Sequence, residues 1–132
     1  MDELLFIETI RVEDGTFVRP ELHLQRMRQT VREAYGVASG FDLADGSIPL
    51  QHRKGTVKCR IVYGRSLSEI SFAPYVPREI RSLRLVAADD ELDYHLKYAD
   101  RSALARLLHL RDDCDEILIV RDGAITDTSD SN

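Results

Sequence analysis

The sequence of 132 residues has no tryptophan, only two cysteines and no apolar run long enough to cross a bilayer. Cys59 and Cys114 are not in CxxC spacing, so we expect reduced thiols rather than a disulfide framework. The opening residues MDELLFIE lack the basic segment of a secretory signal. Together these absences predict a soluble, cytoplasmic protein without a membrane partner.

Positive charge is also scarce. Lysine and arginine number 18 against 23 aspartates and glutamates, which gives a formal net charge of −5. This balance argues against a nucleic-acid partner, although a local basic patch could still bind one phosphate. A hydrophobic content of 43% is sufficient for a packed core, and the length fits one modest domain or part of a two-domain protein.

Several familiar catalytic motifs are missing as well. The sequence contains neither of the glycine-rich nucleotide-binding patterns, GxGxxG and GxxxxGK[ST], and no GxSxG nucleophile elbow. The four histidines have no zinc-ligand spacing, so the predicted site includes no metal. Patterns alone therefore indicate only an acidic α+β protein.

The order of predicted elements defines the fold class. Alternating apolar residues predict strands, and a stripe at helical spacing between Pro20 and Gly36 predicts a helix. The predicted strands are 4–12, 16–18, 55–63, 68–75, 80–87 and 116–121, and the predicted helices are 20–35 and 102–110. We expect an α+β fold with a small N-terminal α/β layer at 1–88, after which the pattern changes.

Three residues are candidates for chemistry. Lys97 lies in LDYHLKYAD, which fits neither helical nor strand periodicity; such a lysine is usually a surface residue, but its amine could form a Schiff base with an aldehyde cofactor. Arg26 shares a helix flank with His23 and is either a solvated cation or a phosphate ligand. Asp127 follows a turn and is by itself an ordinary turn carboxylate.

Three segments, in order, resemble the class-IV aminotransferases, the fold-type-IV enzymes that use pyridoxal 5′-phosphate (PLP). The segment FIETIRVEDGTFVRPELHLQRMRQT is similar to the family's first hairpin and HxxR[LM] helix, here His23 to Met27. HLKYADRSAL resembles the lysine motif, with Arg101 four positions after Lys97. EILIVRDGAITDTSDSN resembles a strand–turn–strand that ends in an acid followed five positions later by asparagine, here Asp127 and Asn132.

The resemblance implies a D-amino-acid-aminotransferase-like fold, PLP as cofactor and a role for each matched residue. Arg26 becomes the ligand of the PLP phosphate, and Lys97 becomes the Schiff-base residue. Asp127 becomes the carboxylate that keeps the pyridine nitrogen protonated, where the family usually has glutamate. The remaining predicted substrate-binding residues are placed on strands beside this site and would meet a substrate carboxylate: Arg60, Arg11 and Tyr63.

The implied activity is that of a 4-amino-4-deoxychorismate lyase, which eliminates pyruvate and leaves para-aminobenzoate in folate biosynthesis. The short first domain and the Lys97–Arg101 spacing favour this branch. A branched-chain or D-amino-acid transaminase is the alternative, and a homodimer is expected in either case.

Members of the family continue past the position of Asn132 to a helix N-terminus that binds the phosphate. The resemblance therefore implies that 89–132 is the first part of a second, barrel-like α/β domain, which is incomplete. A truncated, non-catalytic remnant acting as a structural or interaction domain remains a competing hypothesis, as does a small-molecule-binding domain unrelated to PLP.

Overall fold

The computed structural model describes residues 3–89, 92 and 97–129. The chain contains two compact units. The first comprises residues 3–76 and 97–99, and the second comprises residues 77–89, 92 and 100–129.

The first unit is an antiparallel sheet with one long helix. The elements are β1 (Phe6–Glu13), β2 (Thr16–Phe17), α1 (Pro20–Tyr35), β3 (Thr56–Tyr63) and β4 (Leu67–Pro74), and the strand order is β2-β1-β3-β4. Positive φ angles at Asp14 and Gly15, 46° and 80°, form the tight turn between β1 and β2. The predicted hairpin is thus confirmed, with a second strand of only two residues.

The core of this unit lies between α1 and one face of the sheet. Alternate residues of β1 point inward, and Phe6, Ile10 and Val12 are fully buried. Leu24, Met27 and Val31 form the buried stripe of α1. The predicted helix bounds are confirmed: Pro20 begins α1, and Gly36 ends it with a left-handed φ of 68°.

The second unit contains a three-stranded sheet of order β5-β6-β7. Its elements are β5 (Leu83–Ala87), α2 (Ser102–Leu108), β6 (Glu116–Arg121) and β7 (Ala124–Asp127). β5 and β6 are parallel, and β6 and β7 are antiparallel. A parallel pair needs a crossover connection, which here includes α2. The core of the unit contains Val86, Leu92, Leu104, Leu107, Ile117 and Ile119.

The other face of this sheet carries exposed apolar side chains. Leu85 is 64% exposed, and Ile125 is 63% exposed. Leu85 pairs with Leu118 of β6, and Ile125 pairs with Val120 of β6. Leu118 and Val120 are two positions apart on β6, so the four side chains form a row on one face of the sheet.

The α+β fold class is confirmed, but the predicted domain boundary at residue 88 differs from the observed division after residue 76. The physical reason is the pairing of β5, which hydrogen-bonds to β6 rather than to β4. Residues 93–96 of the segment LDYHLKYAD lie outside the described residues. Within the described ranges, no helix is long and apolar enough to span a membrane.

Candidate functional site

The first feature of the site is a cluster of three polar side chains around Glu8. Nε of Arg26 donates to the Glu8 carboxylate at 3.1 Å and 3.0 Å, and Nη2 of Arg26 also donates to Oε1. Nδ1 of His23 lies 2.6 Å from the same Oε1. A buried carboxylate is costly unless it is paired and hydrogen-bonded, and these two residues meet that requirement.

Local structure explains why these three residues meet. Glu8 occupies an inward position of β1, between Phe6 and Ile10, and none of its side chain is exposed. His23 and Arg26 are three residues apart on α1 and therefore share one flank of the helix. The hydrogen bond to Glu8 raises the pKa of the Arg26 guanidinium, and desolvation only partly opposes this.

The donor set of Arg26 fits a phosphate group. A guanidinium has five N–H donors, and Glu8 takes those on the Nε side. Among the described residues, Nη1 of Arg26 donates to no acceptor, and the Arg26 side chain is 48% exposed. Arg26 also lines an open cleft of about 510 Å³ together with Arg11, Val18, Arg19, Leu22 and His23.

The structure places the Lys97 backbone beside β1. The amide of Ile7 donates to the Lys97 carbonyl at 2.8 Å, and the amide of Ala99 donates to the Leu5 carbonyl at 2.9 Å. Tyr98 forms an antiparallel bridge with Phe6. Since β2 pairs only with the last residues of β1, residues 97–99 occupy the edge of β1 that β2 leaves open.

The three predicted substrate-binding residues do not share one environment. Arg60 and Arg11 lie on the sheet face opposite α1: Arg60 pairs with Thr9, and Arg11 pairs with Lys58. Arg60 is half-buried, whereas the Arg11 side chain is 65% exposed and forms an ion pair with Glu13 at 2.5 Å.

Tyr63 differs from both arginines because it is fully buried in the first core. Its ring centroid lies 5.9 Å from that of Phe6 and 5.4 Å from that of Phe41. Burial raises the pKa of the Tyr63 phenol, and a hydrogen bond with Thr30 partly opposes this. The geometry therefore assigns Tyr63 to the core, where it has no surface for a substrate carboxylate.

In the second unit, the segment that carries Asp127 is held by Glu116. The hydroxyl of Ser129 donates to Oε1 of Glu116 at 2.5 Å, and the Ser129 amide donates to the same oxygen at 3.3 Å. Arg78 donates to Oε2 at 2.6 Å, and the amide of Ile117 donates to Oε1 at 2.9 Å. The fully buried Glu116 thus connects the residues after β7 to the region before β5.

Asp127 and Arg101 both lie in this unit, and Asn132 lies outside the described residues. The Asp127 carboxylate accepts a hydrogen bond from the Thr128 amide at 2.8 Å, which is typical of a turn carboxylate. Nη2 of Arg101 donates to the Ser129 carbonyl at 3.4 Å. Both residues therefore contact residues 128–129, and Ser129 is itself hydrogen-bonded to Glu116.

Sequence reasoning missed Glu8 and Glu116, the two fully buried acids among the described residues. A signal for Glu8 was present, because it occupies an inward position in the alternation of FIETIRV. Glu116 begins its strand next to the buried Ile117, so alternation alone does not place it inside.

The chain is similar in sequence and in structure to known proteins. No protein-family model matches the chain. An uncharacterized protein from Haemophilus influenzae Rd is 35% identical over 130 residues, which are 95% of this chain and 68% of that protein. The crystal structure of a candidate 4-amino-4-deoxychorismate lyase from Haemophilus somnus 129PT is 31% identical, with a TM-score of 0.80. The match covers 98% of this chain and 69% of that chain.

A hypothetical aminotransferase from Mycobacterium tuberculosis, in a PLP-bound form, is similar in fold, with a TM-score of 0.64. It is 17% identical, and the match covers 95% of this chain and 55% of that one, so it supports the fold alone. The Haemophilus somnus protein is more informative, because its sequence identity of 31% is higher and the match covers 69% of its own chain. The chain belongs to the family of 4-amino-4-deoxychorismate lyase-like proteins.

Proposed function

We propose that this chain is a PLP-dependent enzyme of the lyase branch, which eliminates pyruvate from 4-amino-4-deoxychorismate and leaves para-aminobenzoate. The observation that carries the proposal is the pairing of residues 97–99 with β1, the strand whose Glu8 contacts Arg26. The first unit thereby brings the backbone of the candidate lysine and the candidate phosphate ligand to the same strand. The similarity to the Haemophilus somnus protein supports the choice of the lyase branch.

Each residue has a separate task in this proposal. When bound, PLP supplies an aldehyde that condenses with primary amines and a pyridine ring that accepts electrons. Lys97 would hold the cofactor through its Nζ, and Arg26 would hold the phosphate with the donors that Glu8 does not use. Asp127 is proposed to keep the ring nitrogen protonated.

Lys97 would also act as the general base. Once a substrate amine has replaced it, the neutral Nζ accepts the proton from the substrate carbon that bears nitrogen. In a lyase, pyruvate then leaves as its enol and takes up a proton to become the keto acid. In a transaminase, protonated Lys97 would instead give up this proton, and a keto acid would be released. Because both reactions share the first proton transfer, Lys97 alone does not distinguish them.

The sheet face opposite α1 is suited to an anionic substrate. Arg11, Lys58 and Arg60 lie on this face, on the adjacent strands β1 and β3. Such a row of cations attracts substrate carboxylates. We propose that Arg60, with Arg11 beside it, binds a carboxylate of the substrate.

A spectroscopic titration tests the proposal. The chain has only three lysines, Lys54, Lys58 and Lys97, and the first two are exposed. Addition of PLP should produce a yellow absorption band in the wild type and in the Lys58→Ala control, but not in Lys97→Ala. Detection of pyruvate from aminodeoxychorismate, against keto acid from amino acids, then separates lyase from transaminase.

A wild type that stays colourless at millimolar PLP would contradict the proposal and favour a non-catalytic domain. A band that persists in Lys97→Ala would also contradict it, because the reactive amine would then lie elsewhere.

We also propose that the chain forms a homodimer. The exposed Leu85 and Ile125 support self-association with a second copy, because contiguous exposed apolar side chains often mark protein interfaces. Sedimentation velocity over a hundredfold concentration range should show a dimer. A monomer at all concentrations would contradict this proposal.

A further inference from the structure

The Glu8 carboxylate has a fixed position within the first unit. Glu8 lies in the middle of β1 and pairs across the sheet with Ile61, and none of its side chain is exposed. Burial in a close-packed core limits the rotamers available to such a side chain. Any group that hydrogen-bonds to Glu8 is therefore held in a defined orientation.

Arg26 presents one edge to this carboxylate. Nε donates to both carboxylate oxygens, and Nη2 donates to Oε1, which is the side-on geometry of a guanidinium–carboxylate pair. Because the guanidinium is planar and rigid, fixing this edge also fixes the opposite edge. The opposite edge consists of the Nη1 donors and the second Nη2 donor.

We propose that Glu8 is a positioning residue, which orients Arg26 so that its Nη1–Nη2 edge is presented to a phosphate monoester. This inference rests on the proposed function, in which Arg26 binds the PLP phosphate. Glu8 itself does not contact the phosphate. It acts by restricting the guanidinium, whose side chain is 48% exposed and would otherwise adopt many conformations in water.

The charges in the cluster imply a specificity as well. Glu8 compensates the charge of Arg26, so the pair attracts anions less by net charge than an isolated arginine does. Recognition then depends on two directed N–H donors, which suit a group with two suitably spaced oxygens. The pair should favour phosphate monoesters over a spherical anion such as chloride.

The ratio of PLP affinity to pyridoxal affinity measures this role, because pyridoxal can react with Lys97 but has no phosphate. We expect the wild type to bind PLP at least tenfold more tightly than pyridoxal. Arg26→Lys keeps the charge but loses the planar edge, so the ratio should fall close to one. Glu8→Gln should lower the ratio about tenfold, since its NH₂ group opposes one of the Arg26 donors. Glu69→Gln, at an exposed acid on β4 of the same sheet, is the control and should leave the ratio unchanged.

Two results would overturn the inference. A folded Glu8→Gln variant with the wild-type ratio would show that Arg26 needs no orientation. Tighter PLP binding by Glu8→Gln would show that Glu8 only reduces the local positive charge. The proposed function fails separately, if neither aldehyde forms an adduct with Lys97.

Nuclear magnetic resonance of wild-type protein with ¹⁵N-labelled arginine covers the case in which Glu8→Gln does not fold. The probe is inorganic phosphate, and comparison with Arg26→Lys assigns the Arg26 signals. We expect phosphate to shift the Nη signals while the Nε proton remains protected from exchange with water. Faster exchange of the Nε proton on binding would mean that phosphate displaces Glu8 and would overturn the inference, as would the absence of any Nη shift.

Discussion

The carbonyl of Lys97 accepts a hydrogen bond of 2.8 Å from the amide of Ile7. This contact is entirely between main-chain atoms, so it fixes the backbone of the lysine without using its side chain. Ile7 precedes Glu8, the carboxylate that contacts Arg26. The short stretch of β1 at Ile7 and Glu8 therefore links the two residues on which the proposed cofactor chemistry depends.

The main-chain contact predicts that the chain still folds when Lys97 is replaced. We expect Lys97→Ala to keep the Ile7 hydrogen bond and to change the free energy of unfolding by less than about 2 kcal/mol. Urea unfolding, with Lys54→Ala as the control, measures the change. Destabilisation by more than about 2 kcal/mol would indicate that the Lys97 side chain has a structural role.

Arg60 is predicted to contribute to substrate binding rather than to the chemical step. Arg60→Ala should raise the KM for aminodeoxychorismate about tenfold, the loss expected for one charge-assisted contact, with little change in kcat. Steady-state kinetics measure both constants. Lys58→Ala is the matched control, because Lys58 is exposed on the same face and strand. An equal effect of both variants would assign the loss to general charge and not to Arg60.

The Ser129–Glu116 hydrogen bond should stabilise the second unit. Ser129→Ala removes the hydroxyl that donates to the buried Glu116 carboxylate at 2.5 Å. Loss of a hydrogen bond to a buried charged group costs about 1–3 kcal/mol. We expect urea unfolding to show a decrease in the free energy of unfolding within this range. Glu79→Gln removes an exposed ion pair with Arg81 and should cost less than about 1 kcal/mol. Equal stability of Ser129→Ala and wild type would show that the Ser129–Glu116 hydrogen bond does not stabilise the second unit.

Glu116 also predicts a loss of stability in acid. Burial opposes ionisation of Glu116, but hydrogen bonds from Ser129, Ile117 and Arg78 outweigh it, and the pKa of Glu116 is lowered. A carboxylate with a lowered pKa in the folded state stabilises the protein above its unfolded pKa of about 4.3. This stabilisation is lost as the pH falls through the lower folded pKa.

Comparison of wild type and Glu116→Gln isolates this contribution from those of other acids. The free energy of unfolding of the wild type should fall more steeply between about pH 5 and pH 2 than that of Glu116→Gln. Urea unfolding at several pH values in this window provides the measurement. Parallel pH profiles for the two proteins would show that Glu116 does not have a lowered pKa.

Local signals in the sequence were sufficient for the elements of the first unit. Pro20 and Gly36 mark the ends of α1, and the turn at Asp14 and Gly15 marks the hairpin, because each of these features depends on backbone preferences within a few residues. The sequence did not predict that β5 belongs to the second unit. This placement depends on parallel pairing with β6, about 30 residues later in the chain.

The candidate site was predictable only in part for a similar reason. Motif resemblance identified Arg26 and Lys97, and the structure brings both to β1. It could not show that Arg26 contacts Glu8, because this contact joins a strand and a helix across 18 positions. The burial of Tyr63 was predictable, because the alternation of β3 places it on the same face as Cys59 and Ile61; Val62 is the residue that departs from this alternation.

The central claim is that Lys97 is the amine that binds PLP, and chemical trapping tests it most directly. The full chain is incubated with PLP, reduced with borohydride and digested, and the modified peptide is identified by mass spectrometry. With only two other lysines in the sequence, the position is unambiguous. We predict stoichiometric modification of Lys97 and little modification of Lys54 or Lys58. Modification spread equally over the three lysines, or none at Lys97, would contradict the account.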